Sequence, residues 1–430
     1  MVTKVEDALK ELRDVGSVAG LKDLAMQGFA PAARPRVNSH IHLPPNFSAF
    51  STVQQAVDLA GQQGVGVLGV SNYYDYDVYG QFIRLARKRG IFPLFGLEII
   101  CMIDELRTAG VKINDPGNPG KMYICGKGIT RFAPMNAAAK GLLETIRRND
   151  STRMDAMVRA TEKVFESRGL PLGIDTGKVI DMIVKRHGAD RKTVYLQERH
   201  IAQAFQEAAF AKAAPGERLG KLSTVFGAAS KAKNADDSVS VQNELRSYLM
   251  KAGKPAFVDE TFIGFDDAFK LILELGGFPC YPVLADGNAP ICPFEAPVAK
   301  LIENIHRRNI FAAEFIPVRN APEVLEKYMK TMRAAGIVVT AGTEHNTLDL
   351  IPIEPTCKGG VAISDELKAI FWEGACIAAA HQFLTLHGEV GYVDAAGRLN
   401  PDYSHAEDRI LAFARLGAAV IRRYQEGTKA

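Results

Sequence analysis

Short apolar runs alternate with amphipathic segments along much of the chain, and this alternation constrains its fold most strongly. Between residues 37 and 100 the order is strand, helix, strand, helix, strand, as read from VNSHIHL, STVQQAVDLAGQQ, GVGVLGVSN, YGQFIRLARKRG and IFPLFGLEII. The same order returns after residue 255 and ends with IVVTAGT. Strands that alternate with helices predict parallel strands joined by crossover helices. We therefore expect an α/β fold.

Stretches without this alternation divide the chain into predicted parts. Residues 1–36 predict a helical N-terminal extension, and residues 136–255, rich in Ala, Lys, Arg and Glu, predict a helical insertion. The α/β barrel itself would comprise residues 37–135 and 256–346, followed by a helical C-terminal extension at 347–430. At 430 residues and 47% hydrophobic content, the chain can bury a large core.

Charge and cysteine content argue against several classes of function. Only 52 basic residues stand against 49 acidic ones, so no strong field favours nucleic acid or a membrane as the main partner, and we expect a small-molecule substrate. The six cysteines form no CxxC pair, which indicates reduced, cytosolic thiols. The charged N-terminus lacks the apolar core of a secretory signal, and no apolar stretch reaches membrane-spanning length. We expect a cytoplasmic protein, and the apolar C-terminal helices leave a homo-oligomer open.

Two histidines separated by one residue, His40 and His42, follow a polar turn in RVNSHIHLPP. On an extended segment, side chains at i and i+2 point to the same side, so both imidazoles can reach one divalent cation. Three carboxylates, Glu98, Asp286 and Glu344, follow later hydrophobic runs. Ligands at the ends of successive strands are what a metal site at the mouth of a barrel requires. Taken alone, the histidines are also compatible with solvated turn residues or satisfied core groups.

Six segments in order resemble the PHP superfamily, named for polymerase and histidinol phosphatase. They are HIH, GVGVLGVSNYYDYD, FGLEI, RHIAQAF, the stretch from KPAFVD to GGFPCYPVLADG, and AAGIVVTAGTEHN. The resemblance covers residues 37 to 346 and implies a distorted (β/α)7 barrel. It also implies that the helical insertion contributes one metal-binding histidine.

The resemblance implies several metal sites, two of which this chain can still form. The first is matched by the HxH pair, the strand-end glutamate and the carboxylate of the last motif, which are His40, His42, Glu98 and Glu344. The second is matched by the shared glutamate, the insertion histidine and an aspartate where the family has LAHP, which are Glu98, His200 and Asp286. A carboxylate in place of an imidazole still offers an anionic oxygen ligand. We therefore expect two divalent ions, of Mn, Zn or Fe, bridged by Glu98.

The third family site is lost in this sequence. Residues 71–74 read SNYY where the family has TDHD, and the last motif reads GTEHN in place of GSDxH. Asn72, Tyr73 and Asn346 thus occupy ligand positions, although their side chains are poor ligands for a divalent ion. We expect them, together with Arg199 beside the insertion histidine, to contact the substrate instead.

These matches predict a metal-dependent hydrolase in which a hydroxide bridges the two ions and attacks the substrate. Catalytic roles fall to Glu98, Asp286 and Glu344, and the resemblance implies a small phosphorylated substrate and phosphoesterase activity. No dense arginine cluster is evident to replace the third ion, although Lys121 and Arg199 lie near motif segments, as do Arg36 and Arg131. The alternatives are hydrolysis of a C–N or C–O bond in a carboxylated small molecule, or a non-catalytic PHP-like module.

Several of these residues also have simpler explanations. His200 is compatible with a solvent-facing position at the start of its helix, and Asp286, which precedes a glycine, is compatible with a turn. If the last motif is extended, Glu344 and Asn346 face the site and His345 faces away from it.

Two glycine-rich segments are not expected to bind a nucleotide. Gly64, Gly66 and Gly69 spell GxGxxG, but they lie inside a predicted strand and do not open a helix. Lys127, between two glycines, lacks the spacing and the hydroxyl residue of a P-loop.

Overall fold

One mixed sheet organises the computed structural model, which describes residues 5–28 and 34–428. Its strands, β1 to β8 in chain order, are Arg36–Ile41, Val65–Val70, Phe92–Met102, Lys121–Lys127, Ile263–Gly264, Phe278–Val283, Ala312–Phe315 and Val338–Ala341. Seven of them follow the order β1-β2-β3-β4-β6-β7-β8, and the two-residue β5 pairs with the C-terminal end of β3. Apolar residues fill these strands, and most of their side chains are buried.

The sheet curls into a nearly closed barrel because the segment after β8 returns to β1. Ile41 and Glu344 form a parallel bridge, and the His42 amide donates to the Glu344 carbonyl at 2.8 Å. The Thr343 and Glu344 amides donate to the His40 carbonyl at 3.0 and 2.9 Å. The predicted α/β barrel is confirmed, and its seam passes through the HxH segment.

Strand β4 departs from the predicted parallel pattern, because it runs antiparallel to both of its neighbours, β3 and β6. The sequence prediction was wrong here, since it placed no strand at 121–127. Strand β3 pairs in parallel with β2 up to Phe95 and antiparallel with β4 from Gly96 to Met102. Only a five-residue helix, Asp104–Thr108, lies between β3 and β4. The chain therefore turns back instead of making the long crossover that a parallel pair needs.

Fifteen α-helices lie in the described part of the chain. From α1 to α15 they are Val5–Arg13, Val18–Met26, Val53–Gln62, Tyr79–Lys88, Asp104–Thr108, Ala137–Ser167, Thr176–His187, Glu198–Ala211, Arg218–Phe226, Ser238–Leu245, Phe265–Glu274, Val298–His306, Pro322–Ala334, Asp365–Leu386 and Ala406–Gly427. A five-residue π-helical turn, Arg246–Met250, continues α10.

Apolar faces position the helices, and capping side chains begin some of them. Helix α4 buries Tyr79, Phe82, Ile83 and Ala86, which share one face at spacings of three and four residues. The 31-residue α6 begins where the Asn136 side chain accepts a hydrogen bond from the Ala139 amide at 2.8 Å.

Buried apolar side chains form two clusters. One contains the barrel together with the described N-terminal helices and the C-terminal α14 and α15. The other lies within residues 154–256 and belongs to the helical insertion. The predicted part boundaries stay predictions, and the parts of the extensions at 1–4, 29–33 and 429–430 lie outside the described residues.

No helix within residues 5–28 and 34–428 has both the length and the apolar character that a bilayer crossing would need.

Candidate metal centre

His40, His42 and Glu98 meet at the seam of the barrel. His40 is in β1, His42 follows it directly, and their ring centroids lie 4.9 Å apart. The Nε2 atoms of His40 and His42 lie 3.6 and 3.2 Å from Glu98 Oε2. We call these three residues the triad. Glu98 lies inside β3 and not at its end as expected, because β3 continues along β4 to Met102.

The triad leaves buried polar atoms without partners. His40, His42 and Glu98 are 1%, 0% and 4% exposed. His40 Nε2, both ring nitrogens of His42 and Glu98 Oε2 make no hydrogen bond to the described residues. Orphaned buried polar atoms are costly, and a bound cation satisfies them. Two imidazole nitrogens and one carboxylate oxygen suit a borderline divalent metal, so the residues fit such an ion.

A buried ion pair inside the barrel orients His40. The Nδ1 atom of His40 lies 2.6 Å from Glu314 Oε2, and Lys127 Nζ donates to Glu314 Oε1 at 2.5 Å and to the Ser39 carbonyl at 3.1 Å. Burial alone would raise the pKa of Glu314, but Lys127 and His40 lower it to about 2. An ionised Glu314 accepts a hydrogen bond from the Nδ1–H group of His40. The lone pair of His40 is then on Nε2, the atom that faces Glu98.

Glu314 and Lys127 were not among the predicted site residues. The available signal was a glutamate in the middle of an apolar strand, IFAAEFI, where an unpaired charge would be costly. Lys127 was set aside as a nucleotide-binding residue because of its spacing, and its partner Glu314 lies 187 positions away in sequence.

Replacing Glu314 with glutamine is expected to weaken divalent metal binding about 10–100-fold, since an outer partner that fixes a ligand histidine typically contributes that much. Competition with a chromophoric chelator measures this affinity. Glu295→Gln is the matched control, because Glu295 is also fully buried and bonded to Tyr281, Leu284 and Ala285 but does not contact the triad. Equal metal affinities in both variants would contradict the orienting role of Glu314.

Glu344 lies next to the triad but is held by other groups. Arg319 Nη1 donates to Glu344 Oε1 at 2.9 Å, while Arg319 Nη2 and Asn346 Nδ2 both donate to Oε2. Burial would raise the pKa of Glu344, but Arg319, His40 and His42 together lower it. Glu344 is thus an ionised carboxylate within the field of both triad histidines.

The last motif is not extended, which corrects its expected backbone conformation. Glu344 and His345 both have left-handed backbones, with φ of 56° and 53°, a conformation rare outside glycine and often found at functional sites. His345 is buried against Phe50, bonded to Thr343 Oγ1 and to the Ile351 carbonyl. Its role is structural in this conformation.

The two adjacent residues Asn72 and Tyr73 have different environments. The Asn72 side chain accepts a hydrogen bond from the Leu43 backbone N–H at 2.8 Å and donates one to the Leu43 carbonyl at 3.0 Å. This use of its side chain argues against substrate contact. Tyr73 stacks on His42 with ring centroids 5.2 Å apart. Burial, and then Glu98, raise the pKa of Tyr73, so its hydroxyl stays protonated beside the triad.

Asp286 and His200 do not join the triad. Asp286 Oδ1 accepts from Asn320 Nδ2 at 2.9 Å, and Oδ2 accepts from the Ala321 amide at 3.0 Å, so both oxygens support the start of α13. These bonds to a distant segment differ from the local turn role that the sequence left open.

His200 is buried, which corrects the solvent-facing alternative. Its Nδ1 accepts from the Gln197 amide at 3.1 Å and caps α8, so the ring proton is on Nε2. Burial lowers the pKa of His200 to about 3, and the imidazole is neutral. A protonated Nε2 has no lone pair for a metal in this tautomer.

The triad borders a cavity of about 310 Å³ between the barrel and the insertion, which it reaches through Glu98. Six basic residues line this cavity, namely Lys121, Arg153, Arg199, Arg246, Lys251 and Arg319, together with five acidic ones, Glu98, Asp115, Asp150, Glu198 and Glu344. The expectation that no dense arginine cluster exists was therefore wrong. Arg153, Arg246 and Arg319 lie outside the motif segments in sequence, and only the fold brings them together. Arg36 pairs instead with Glu354, and Arg131 is exposed.

Among the predicted substrate residues, Tyr73, Asn346 and Arg199 line the cavity with Glu98 and Glu344. Asn72 and Asp286 are not part of its lining within the described residues.

Comparison with known proteins finds similarity at the level of fold. No family model and no curated protein sequence matches the chain. A solved amidohydrolase from Chromobacterium violaceum, with bound sulfate and no metal, superposes with a TM-score of 0.50 and 17% identity over 78% of this chain and 96% of its own. A candidate metal-dependent phosphoesterase from Bifidobacterium adolescentis reaches a TM-score of 0.48 and 14% identity over 78% and 96%. At 17% identity, the similarity to the amidohydrolase concerns the fold alone.

Proposed function

We propose that this chain is a PHP-type, metal-dependent hydrolase that acts on a small phosphoester. The observation that carries the proposal is the triad, whose orphaned ligand atoms converge beside a cavity lined with basic side chains. Buried titratable groups converging in a cleft are typical of active sites. A cavity of about 310 Å³ is of the size that takes a small molecule.

The geometry supports one ion at the triad more directly than the two ions that the resemblance implies. A second ion would require Asp286 to give up its bonds to Asn320 and Ala321, and His200 to move its ring proton. The count of two and the choice among Mn, Zn and Fe stay predictions, and elemental analysis of the purified protein tests both.

Bound at the triad, a divalent cation would supply a water of lowered pKa and an electrophile for the scissile group. The protein would supply the rest. The guanidinium of Arg319 donates paired hydrogen bonds to the two oxygens of Glu344, and phosphoryl oxygens present a similar pair of acceptors. The protonated Tyr73 would donate a hydrogen bond to substrate next to Glu98.

The six cations of the lining outnumber its five carboxylates, which favours a phosphoester over a neutral substrate, because positive charge near the reacting centre stabilises phosphoryl oxygens in the transition state. In hydrolysis of a C–N or C–O bond in a carboxylated molecule, the same positive charge would serve only to bind the substrate carboxylate. A non-catalytic module would keep the ion without turnover.

A substrate screen separates these functions. Protein loaded in turn with Mn²⁺, Zn²⁺ and Fe²⁺ is expected to hydrolyse phosphoesters and to leave matched amides and lactones intact. His405→Ala, at an exposed histidine distant in sequence from the site, is the control variant and should keep full activity. Turnover of amides or lactones alone would replace the proposed reaction, and metal binding without any turnover would support the non-catalytic module.

A further inference from the structure

One wall of the cavity carries more positive than negative charge. The Glu198 carboxylate, at the start of α8, lies 3.1 Å from Arg153, 3.2 Å from Arg246 and 2.7 Å from Lys251. Burial would raise the pKa of Glu198, but these three cations lower it, so it is ionised. Glu260 pairs with Arg153 and Lys121, Asp115 also pairs with Lys121, and Asp150 lines the same cavity. Together with Glu198, these carboxylates match the four cations, so the surplus charge of the wall is that of Arg199.

Arg199 adds a charge to this wall with no carboxylate of its own. Among residues 5–28 and 34–428, its guanidinium makes a single side-chain hydrogen bond, to Asn243 Oδ1 at 3.4 Å, and no ion pair. Burial, and then Arg246, lower its pKa to about 10, so it stays charged at neutral pH. Arg199 is half-buried, and a partly desolvated guanidinium without a counterion is stabilised when a ligand supplies one.

The wall and the triad are near enough for one molecule to contact both. Glu344 and Tyr73, which adjoin the triad, also act electrostatically on Arg199. Glu344 is already occupied by the fork of Arg319 and by Asn346. Arg246 belongs to the π-helical turn after α10, an irregularity that occurs frequently at functional sites.

We propose that Arg199, Arg246 and Lys251 form an anion subsite, which binds a second anionic group of the substrate, a phosphate or a carboxylate, away from the group at the triad. Guanidinium groups bind either anion through paired hydrogen bonds. The identity of the ligand as part of a substrate rests on the proposed function, whereas anion binding by the wall does not.

Equilibrium binding tests the subsite without turnover. Full-length protein freed of metal with a chelator is titrated with inorganic phosphate and, separately, with succinate, by calorimetry at low ionic strength. We expect saturable binding of at least one of them at one site per chain, and at least about a tenfold loss of affinity in Arg199→Gln, since hydrogen bonds to charged groups contribute that much. The stronger of the two anions identifies phosphate or carboxylate as the preferred group.

Two further variants separate charge from geometry and from folding. Arg199→Lys keeps the charge without the fork and should bind with intermediate affinity. Arg186→Gln removes an arginine from the neighbouring helix α7, where it pairs with Glu207 outside the cavity lining, and should bind as the wild type does. Unchanged affinity in both Arg199 variants, or an equal loss in Arg186→Gln, would overturn the subsite.

Enzyme kinetics test separately whether the anion bound by the subsite is part of the substrate. If the metal-loaded enzyme hydrolyses phosphoesters, Arg199→Gln should raise KM about tenfold for esters that carry a second anionic group, with kcat nearly unchanged and KM unaltered for esters that lack one. Equal KM effects on both kinds of ester would overturn this assignment. Anion binding that persists while no ester is hydrolysed would reject the proposed function and leave the subsite intact.

Discussion

His42→Ala is expected to lose metal binding and hydrolysis together, with a fall in metal affinity greater than the ~10–100-fold that an outer partner contributes. The reason is that His42 offers one of three converging ligands, and neither of its ring nitrogens has another partner among the described residues. Bound metal, measured after dialysis by elemental analysis, gives the first readout. Hydrolysis of the best phosphoester from the screen gives the second.

The structure provides controls for this loss. His381→Ala removes another buried histidine, one that donates from Nε2 to the Gly276 carbonyl, accepts from the Tyr392 amide and bonds to no triad residue. It should lose stability and keep its metal content per folded chain. Normal metal content in His42→Ala would show that the triad is not the metal site.

Local periodicity was enough to predict most of the barrel. Strands β1, β2 and β3 and the helices between them follow from apolar runs and capping residues that lie close together in sequence. Strand β4 did not follow, because its sequence KMYICGK has no clear alternation and its pairing depends on the short return from β3. The antiparallel pairing of β4 with β6 also spans the whole insertion, so no local pattern encodes it.

The triad was also predictable, because its two histidines lie close together in sequence. The HxH spacing places two imidazoles together through the geometry of a single strand, and Glu98 reaches them from two strands away. Asp286 and His200 occupy matching motif positions, yet each has a backbone amide within hydrogen-bond distance. A motif position cannot reveal such a competing bond, since it depends on the rotamer and on the neighbouring loop.

The cationic wall of the cavity was missed because its members come from separate helices of the insertion. Arg153 is on α6, Arg199 on α8 and Arg246 in the π-helical turn. Arg199 was predicted from its position beside the insertion histidine. Arg153 and Arg246 look like ordinary solvated charges in sequence, and only their shared contact with Glu198 and one cavity distinguishes them. Predicting the substrate class therefore requires the tertiary structure more than predicting the metal ligands does.

Glu98→Gln is expected to remove the metal, whereas Asp286→Asn should leave it in place. Glu98 Oε2 faces both triad histidines and supplies the only negative charge within the triad, so an amide there weakens the attraction for a divalent cation at least ~100-fold. Asp286 instead accepts hydrogen bonds from Asn320 and Ala321, so its replacement should cost about 1 kcal/mol of unfolding free energy. Metal per chain and urea denaturation, measured on both variants, distinguish the two effects. A comparable loss of metal in Asp286→Asn would mean that Asp286 turns toward the triad when the ion binds, and the two-ion centre implied by the resemblance would replace the single site argued from this geometry.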